Sequence, residues 1–276
     1  MQKIWFITGI SSGLGKSLAE KVMESGDFVI GTFRQVAQVE AFNQQNEGRG
    51  FALQMEVSKQ EEVKNAFKVI EEKFGRLDVL VNNAGIGFLG AIEEANMAET
   101  RDIFETNVFG TLQVTQAALP IFRKQRSGHL FQISSGAGIK ASAGFGIYNA
   151  SKFALEGFSE ALADEVKPFG ITVTIVEPGP FRTQFAGTSI KYADNQIEDY
   201  AATVGAFRKR MVEVVNQNQE GDPNKAAKIM VEVAKLENPP LRLPLGKIVL
   251  NAIQAKLDSV QKDLNEWKEV AASAVF

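Results

Sequence analysis

Residues 4–15 read "IWFITGISSGLG", an apolar run of strand length followed by Gly9, Gly13 and Gly15, with helical periodicity then continuing to about residue 25. A strand, a glycine-rich turn and a helix in that order make a cradle for phosphate. Glycine allows the tight turn, and its missing side chain lets a pyrophosphate approach the main chain and the positive end of the helix. Gly9, Ser11, Ser12, Gly13, Leu14 and Gly15 are therefore assigned to a dinucleotide, with Thr8 contributing from the strand end.

Outward from this turn, the apolar runs Ile4–Thr8, Phe28–Thr32, Ala52–Glu56, Val79–Asn82, Leu130–Ser134 and Thr172–Glu177 alternate with helical periodicity at about 13–25, 35–46, 59–73, 98–125, 147–167 and 222–236. Such alternation implies crossover units and a parallel sheet. Runs such as "VLVN" and "ITVTIV" imply strands buried on both faces. The expected fold is α/β: a Rossmann-like, doubly wound, mostly parallel sheet flanked by helices, in a single domain over residues 1–276. Pro168 and Gly170 stop the helix that ends near Val166, and Pro178, Gly179 and Pro180 end the run "ITVTIV", because proline cannot donate to a sheet ladder.

Two later segments stand apart. Residues 184–215 form a polar insertion with partial helical periodicity from Asp199 to Val215, read as a mobile cover over a substrate cleft. Residues 238–276 read as a peripheral C-terminal extension: the proline-rich "NPPLRLPLG" at 238–246, then a helical charge pattern over 247–269. It is expected either to pack on the main sheet or to serve as an oligomer contact.

Composition narrows the chemistry. A chain of 276 residues that is 45% hydrophobic suffices for one sizeable core. A net charge of −3 with both signs interspersed points to neither nucleic acid nor a membrane surface as partner. Cysteine is absent, which excludes disulfides, thiolate catalysis and cysteine-ligated metal, and the single histidine, His129, cannot build a typical catalytic zinc site. No metal site is expected. The start "MQKIWFITG" lacks the pattern of a signal peptide and no run of 18 apolar residues follows, so the expected location is cytoplasmic.

The cofactor region continues at the ends of the next strands. Arg34 in "GTFRQ" stands where an adenosine ribose approaches the sheet. An acidic residue there favours the ribose hydroxyls of NAD, whereas arginine pairs with a 2′-phosphate, so NADP(H) is the preferred cofactor. Thr32 lies beside it; Glu56 and Val57 in "QMEVS" are placed at the adenine, and Asn83, Ala84 and Gly85 in "NNAG" organise the neighbouring turn.

The reacting groups follow in "ISSGAGIKASAGFGIYNASK". Ser134 or Ser135 precedes Tyr148, and Lys152 follows Tyr148 by one helical turn on the same face. Carbonyl reduction needs a hydride at carbon and a proton at oxygen. Tyr148 can donate that proton, Lys152 can stabilise the phenolate, and a serine hydroxyl can polarise the reacting oxygen. Asn107 in "TNVFG" is read as supporting a bent helix or a bound water.

Together "TG…GLG", "NNAG", "NVFG", "SSG", "YNASK" and "PGP" resemble the short-chain dehydrogenase/reductase family across most of residues 3–183. The resemblance implies a tetrad of Asn107, Ser135, Tyr148 and Lys152, with Ser135 chosen over Ser134 by its distance from Tyr148. It also implies that Tyr148 and Lys152 contact the cofactor, Lys152 at the nicotinamide ribose, and that Pro178, Gly179, Phe181 and Thr183 form the nicotinamide side. Three positions depart from the family pattern. Phe181 replaces a smaller aliphatic residue, Glu56 replaces aspartate, and Ser12 rather than a basic residue precedes Gly13, which leaves phosphate recognition to Arg34 and NAD(H) use open. A homo-oligomer, dimer or tetramer, is implied by the resemblance.

The function expected is NADP(H)-dependent interconversion of a carbonyl and a secondary alcohol by hydride transfer, with reduction slightly favoured. Apolar residues in "GIGFLG" and at Phe145, Phe181 and Phe185 point to a partly hydrophobic small molecule as substrate. The competing readings are an NAD-dependent alcohol dehydrogenase and a nucleotide-binding regulator or scaffold with little turnover.

Overall fold

Strand β1, Ile4–Ile7, is buried on both faces, because alternate side chains of a strand point to opposite sides. Trp5 and Ile7 enter one hydrophobic layer and Phe6 the other, and none of the three is more than 1% exposed. The computed structural model describes residues 1–187, 189–211 and 218–276. After β1 come α1 (Gly13–Glu24), β2 (Phe28–Phe33), α2 (Val36–Gln45), β3 (Gly50–Gln54), α3 (Gln60–Phe74), β4 (Val79–Asn82) and β5 (Gly87–Leu89). The chain continues through α4 (Met97–Phe104), α5 (Thr111–Gln125), β6 (Gly128–Ile133), α6 (Gly146–Val166), β7 (Ile171–Pro178) and β8 (Ile190–Tyr192). It ends with α7 (Ala206–Arg210), α8 (Pro223–Val233), β9 (Arg242–Leu245) and α9 (Lys247–Ala272).

The main sheet has the order β3-β2-β1-β4-β6-β7-β9, and every pairing is parallel. The winding reverses between β1 and β4, which opens a crevice beyond their carboxyl ends. Leu18 and Val22 of α1 and Ala227 and Met230 of α8 cover one face of the sheet. Phe67 and Ile70 of α3, Val114 and Ile121 of α5 and Leu162 of α6 cover the other. Each such large side chain contributes about 1.5–3 kcal/mol by leaving water. The fold is the expected Rossmann-type α/β domain with a parallel sheet and helices on both faces.

Three differences from the sequence reading have physical causes. The helix expected over 98–125 is interrupted by a π-helical turn at Glu105–Gly110. One side chain on that turn, Asn107, accepts from the Ile86 amide and donates to the Ile86 carbonyl, tying the helix to the end of the β4 loop. An inserted residue of this kind leaves apolar periodicity almost undisturbed, so the bend is signalled by Asn107 alone and its π-helical form is not. The third strand lies two residues earlier than Ala52–Glu56: Met55 is buried without extending the strand, and the Glu56 amide donates to the Glu62 carboxylate. Within the segment 184–215, β8 pairs with β5 and is followed by a π-helical turn at Ala201–Gly205 and by α7; residues 188 and 212–215 lie outside the described residues.

In the C-terminal segment, β9 tolerates Pro244 because it is the edge strand. Arg242 on β9 binds Glu156 and Glu160 of α6 and Glu177 of β7, the last at 2.6 Å. Burial pushes the Glu156 and Glu177 carboxyls upward while the guanidinium opposes it. Among the described residues no helix is long and apolar enough to cross a membrane.

His129 on β6 is buried against the Phe131 ring, with centroids 4.1 Å apart. The Thr174 hydroxyl donates to Pro240 O at 2.7 Å, so it accepts from His129 Nε2–H at 2.9 Å and Nδ1 carries no proton. Burial, aided by the Lys3 charge, lowers this imidazole to about 3. A group that binds its proton more weakly when folded favours the unfolded state as pH falls from its ordinary value near 6.5. Between pH 7 and pH 4.5, His129→Gln is therefore expected to lose about 2–3 kcal/mol less unfolding free energy than the parent; urea titrations at both pH values measure it, and equal losses would contradict the assignment.

Candidate active site

The crevice is built around three strand ends. Thr8 Oγ1 accepts from the amides of Asn83 and Ala84 at 2.9 and 3.0 Å. Asn83 Nδ2 donates to the carbonyls of Thr8 and Gly9, both at 2.9 Å, and the Gly9 amide donates to Thr32 Oγ1 at 3.0 Å. The ends of β1, β2 and β4 are thereby joined. Gly9 has φ +70° and Gly13 φ +59°, the left-handed region that glycine enters without strain. A Cβ on Gly15 would lie 2.3 Å from Asn83 Nδ2 and 2.5 Å from Gly9 O.

The turn fits a pyrophosphate on its own geometry. Ser12 caps α1 without a side-chain hydrogen bond, and the first turn of α1 carries no acid. Its free amides and helix dipole therefore favour an anion. Ser11, Ser12, Gly13 and Leu14 line a cleft of about 960 Å³. Thr183 stands across from Gly13, whose added Cβ would meet it at 3.3 Å.

Every site residue expected from sequence lines this cleft except Thr8, Gly15 and Asn107. All three lie behind its wall: Thr8 with its hydroxyl on the Asn83 and Ala84 amides, Gly15 under Asn83, and Asn107 on the π-helical turn. Thr32, Arg34, Glu56 and Val57 reach it from the ends of β2 and β3. The Arg34 guanidinium is 77% exposed and 3.9 Å from the Glu56 carboxylate. Val57 packs in the core while lining the cleft, and Ala84 and Gly85 lie beside it. A Cβ on Gly85 would sit 3.2 Å from Asn107 Oδ1 and 3.6 Å from Lys152 Nζ. Pro178 ends β7, the Gly179 amide donates to Leu245 O, and Phe181 bridges to Gly221.

Tyr148 and Lys152 sit in the first turns of α6, both buried. Phe145 and Phe185 flank the Tyr148 ring with centroids at 5.6 and 5.8 Å. Burial pushes the phenol up to about 12, and the Ser135 hydroxyl bonded to it draws it back. Lys152 Nζ donates to Ile133 O at 2.8 Å and lies 5.9 Å from the Tyr148 ring centroid. Burial pulls the ammonium down to about 8, and the Glu156 carboxylate one turn further along opposes that fall. Asn107 also donates to Ser151 Oγ at 3.1 Å. Ser134 lies beside Glu156 rather than at the phenol.

Several cleft residues escaped the sequence reading. Phe207 and Met211 come from α7 and its end, and Ile248, Val249 and Ala252 from the first turns of α9. Nothing in their local sequence marks them, because only tertiary packing brings Phe207 against Phe145 before α6, and Val249 against Gly136 and Gly179 beyond β6 and β7. Glu156 carried a signal: it repeats the four-residue spacing from Tyr148 to Lys152.

A nucleotide crevice at the switch point of a parallel sheet, with a phenol, an ammonium and a hydroxyl beside it, defines a dehydrogenase-type site. The chain belongs to the short-chain dehydrogenase family, whose sequence model, described as short chain dehydrogenase, matches residues 3–193. A short-chain dehydrogenase from Streptomyces avermitilis of known structure is 41% identical, with a TM-score of 0.93 and full coverage of both chains. The oxidoreductase BOA17 of Botryotinia fuckeliana is 38% identical over 275 residues, covering 99% of this chain and 100% of the relative. The 3-ketodihydrosphingosine reductase of Bacteroides thetaiotaomicron is 38% identical over 249 residues, covering 90% and 89%. A structure of ElxO with NADP bound is 25% identical, covers 91% of this chain and 100% of that one, and has a TM-score of 0.74. The protein is an oxidoreductase that interconverts alcohol and carbonyl groups by hydride transfer.

Because Gly15 has neither room for a methyl group nor a movable neighbour on its carbonyl side, Gly15→Ala is expected to destabilise the fold by about 1–3 kcal/mol and to weaken dinucleotide binding. Thermal unfolding and a fluorescence titration with NADPH check both effects; an unchanged midpoint would show that the turn relaxes freely.

Proposed function

We propose that the protein is an NADP(H)-dependent carbonyl reductase of a partly hydrophobic small molecule, with Tyr148 as the proton donor. The observation that carries this reading is the junction of the Tyr148 phenol, the Ser135 hydroxyl and the Lys152 ammonium on one apolar wall of the nucleotide cleft. Ser135 holds and polarises the substrate oxygen, and Tyr148 passes its proton to that oxygen. The phenolate left behind forms beside Lys152, whose positive charge offsets the cost of burying it. When bound, the nicotinamide supplies the hydride. Lys152 holds its ribose, and Asn107 keeps the Ile86 loop and the neighbouring α6 in register. In the direction of alcohol oxidation the same groups move the proton the other way.

The cofactor choice rests on Arg34. Its pairing with Glu56 at 3.9 Å and high exposure is weak, so the guanidinium is available to a 2′-phosphate at the cleft rim. Glu56 and Val57 border the adenine, and the NADP seen in a relative of the fold agrees with the choice. Phe145, Phe185 and Phe207 form an apolar substrate side, with Phe145 and Phe207 in edge contact at 5.0 Å. The segment carrying Phe185 and Phe207 acts as the cover of this side, tied down where Arg208 Nη2 donates to the buried Glu94 at 2.9 Å.

Two measurements test this reading. Parallel titrations with NADPH and NADH are expected to favour NADPH, and Arg34→Ala is expected to weaken NADPH about tenfold or more while leaving NADH nearly unchanged. An NADH preference in the parent would move the assignment to NAD-dependent alcohol oxidation. Tyr148→Phe keeps the ring and its packing; it is expected to retain NADPH affinity and lose at least about 100-fold in turnover on a reducible carbonyl. Full turnover by that variant would remove Tyr148 as the proton donor.

A further inference from the structure

Three carboxylates gather at one guanidinium behind the reacting groups. Arg242 of β9 donates to Glu156 of α6 at 2.5 Å, to Glu177 of β7 at 2.6 Å and to Glu160 of α6. Glu160 is 51% exposed, so water screens it. Glu156 and Glu177 have side chains only 6% and 1% exposed, and a charge taken out of water costs several kcal/mol unless an opposite charge offsets it. The single guanidinium offsets one of the two. Among the described residues Lys152 is the only buried lysine or arginine, and it stands on α6 one helical turn before Glu156. Taken together, Arg242 and Lys152 balance Glu156 and Glu177.

Local packing makes room for this arrangement. Lys152 Nζ donates to Ile133 O at 2.8 Å, and the Glu156 carboxylate lies against the hydroxyl of the next residue, Ser134. The two side chains thus reach adjacent residues at the end of β6. A Cβ on Gly138 would lie 2.6 Å from Ser134 Oγ and 3.0 Å from Glu156 Oε1, so the bare backbone of residue 138 leaves the slot that the carboxylate fills. Tyr148 precedes Lys152 by the same four residues by which Glu156 follows it, which puts phenol, ammonium and carboxylate along one face of α6. A structural tie between β9 and α6 would be complete with Glu160 and Glu177 alone; it gives no reason for a third carboxylate in a closed slot beside the lysine.

We propose that Glu156, held by Arg242, is the fixed counter-charge of Lys152 and so a positioning residue for proton transfer at Tyr148. Burial pulls the Lys152 ammonium down to about 8, and Glu156 opposes that fall. Burial likewise pushes the Glu156 carboxyl up, and Ser134 and Arg242 oppose that rise. The other charges around the carboxylate are Glu160 and Glu177, both of which act against its ionisation, so Arg242 is the cation that sustains it. With Glu156 neutral, Lys152 gives up its proton at lower pH and no longer offsets the phenolate that forms on Tyr148. The effect on turnover rests on the roles given to Tyr148 and Lys152 above, whereas the charge balance does not.

Titration of Lys152 in the full chain tests the charge balance without any substrate. Lysine labelled at Cε is followed by NMR from about pH 6 to about pH 10, and the Lys152 signal is the one lost in Lys152→Met. The parent is expected to titrate at about 8. Glu156→Gln is expected to bind that proton about tenfold more weakly, and Glu156→Met, which fills the slot without a polar atom, does the same should the amide variant not fold. Glu177→Gln removes a carboxylate from Arg242 but not from beside Lys152, and is expected to stay within about twofold of the parent. A Lys152 that titrates alike in the parent and in Glu156→Gln, or that weakens equally in Glu177→Gln, would overturn the proposal. The alkaline limb of kcat, followed by NADPH oxidation with saturating para-nitrobenzaldehyde, is expected to move to lower pH by the same factor in Glu156→Gln. A limb that stays in place while the Lys152 signal shifts would uphold the counter-charge but remove Lys152, and Glu156 with it, from the proton-transfer step.

Discussion

The hydrogen bonds that converge on Thr8 and Asn83 hold the molecule's working parts together. A parallel sheet leaves the carboxyl ends of its strands without ladder partners, and at the switch point two of those ends diverge. Thr8 Oγ1 and Asn83 Nδ2 bridge that divergence, and Thr32 ties in a third strand. Gly15 closes on the same clasp with no space for a side chain. The start of α1, and with it the open amides of the glycine-rich turn, is thus set by polar contacts at the centre of the sheet rather than by the helix itself.

Behind the other wall of the cleft, charge burial does comparable work. The same desolvation raises the Tyr148 phenol and lowers the Lys152 ammonium, which brings a neutral acid and a marginally held cation together at neutral pH. Glu156 opposes part of the effect on Lys152 and is itself held by Arg242 on the edge strand. A buried carboxylate stripped of that guanidinium would be costly. The C-terminal strand is therefore coupled to the electrostatics of α6 as well as to the edge of the sheet, and α9 continues from it with its root in the cleft.

Legibility in the sequence followed the range of the interaction. Strands β1, β2, β4, β6 and β7 and helices α1, α3 and α6 were readable within a residue or two, since burial on two faces and helical periodicity are local patterns. Gly9, Gly13, Arg34, Ser135, Tyr148 and Lys152, singled out for their residue types at short spacing, do line one cleft in the structure. At Glu105–Gly110 Asn107 signalled a bend but not its π-helical form, because that form depends on the Ile86 backbone, which lies far away in the chain. The same holds for the cleft residues from α7 and α9 and for the anchoring of Arg208 by Glu94.

By itself, then, the amino-acid order determined the α/β class, the parallel alternation, the glycine-rich turn after β1 and the one-turn spacing of Tyr148 and Lys152, since all of these arise from contacts within one or two turns of chain. Tertiary structure alone decided which of those residues share a cavity, that burial drives the phenol and ammonium in opposite directions, that Arg242 gathers three carboxylates, and that most of α9 stands clear of the domain. Those properties depend on how much water each group loses and on which distant backbone it meets, and neither quantity is written in local spacing.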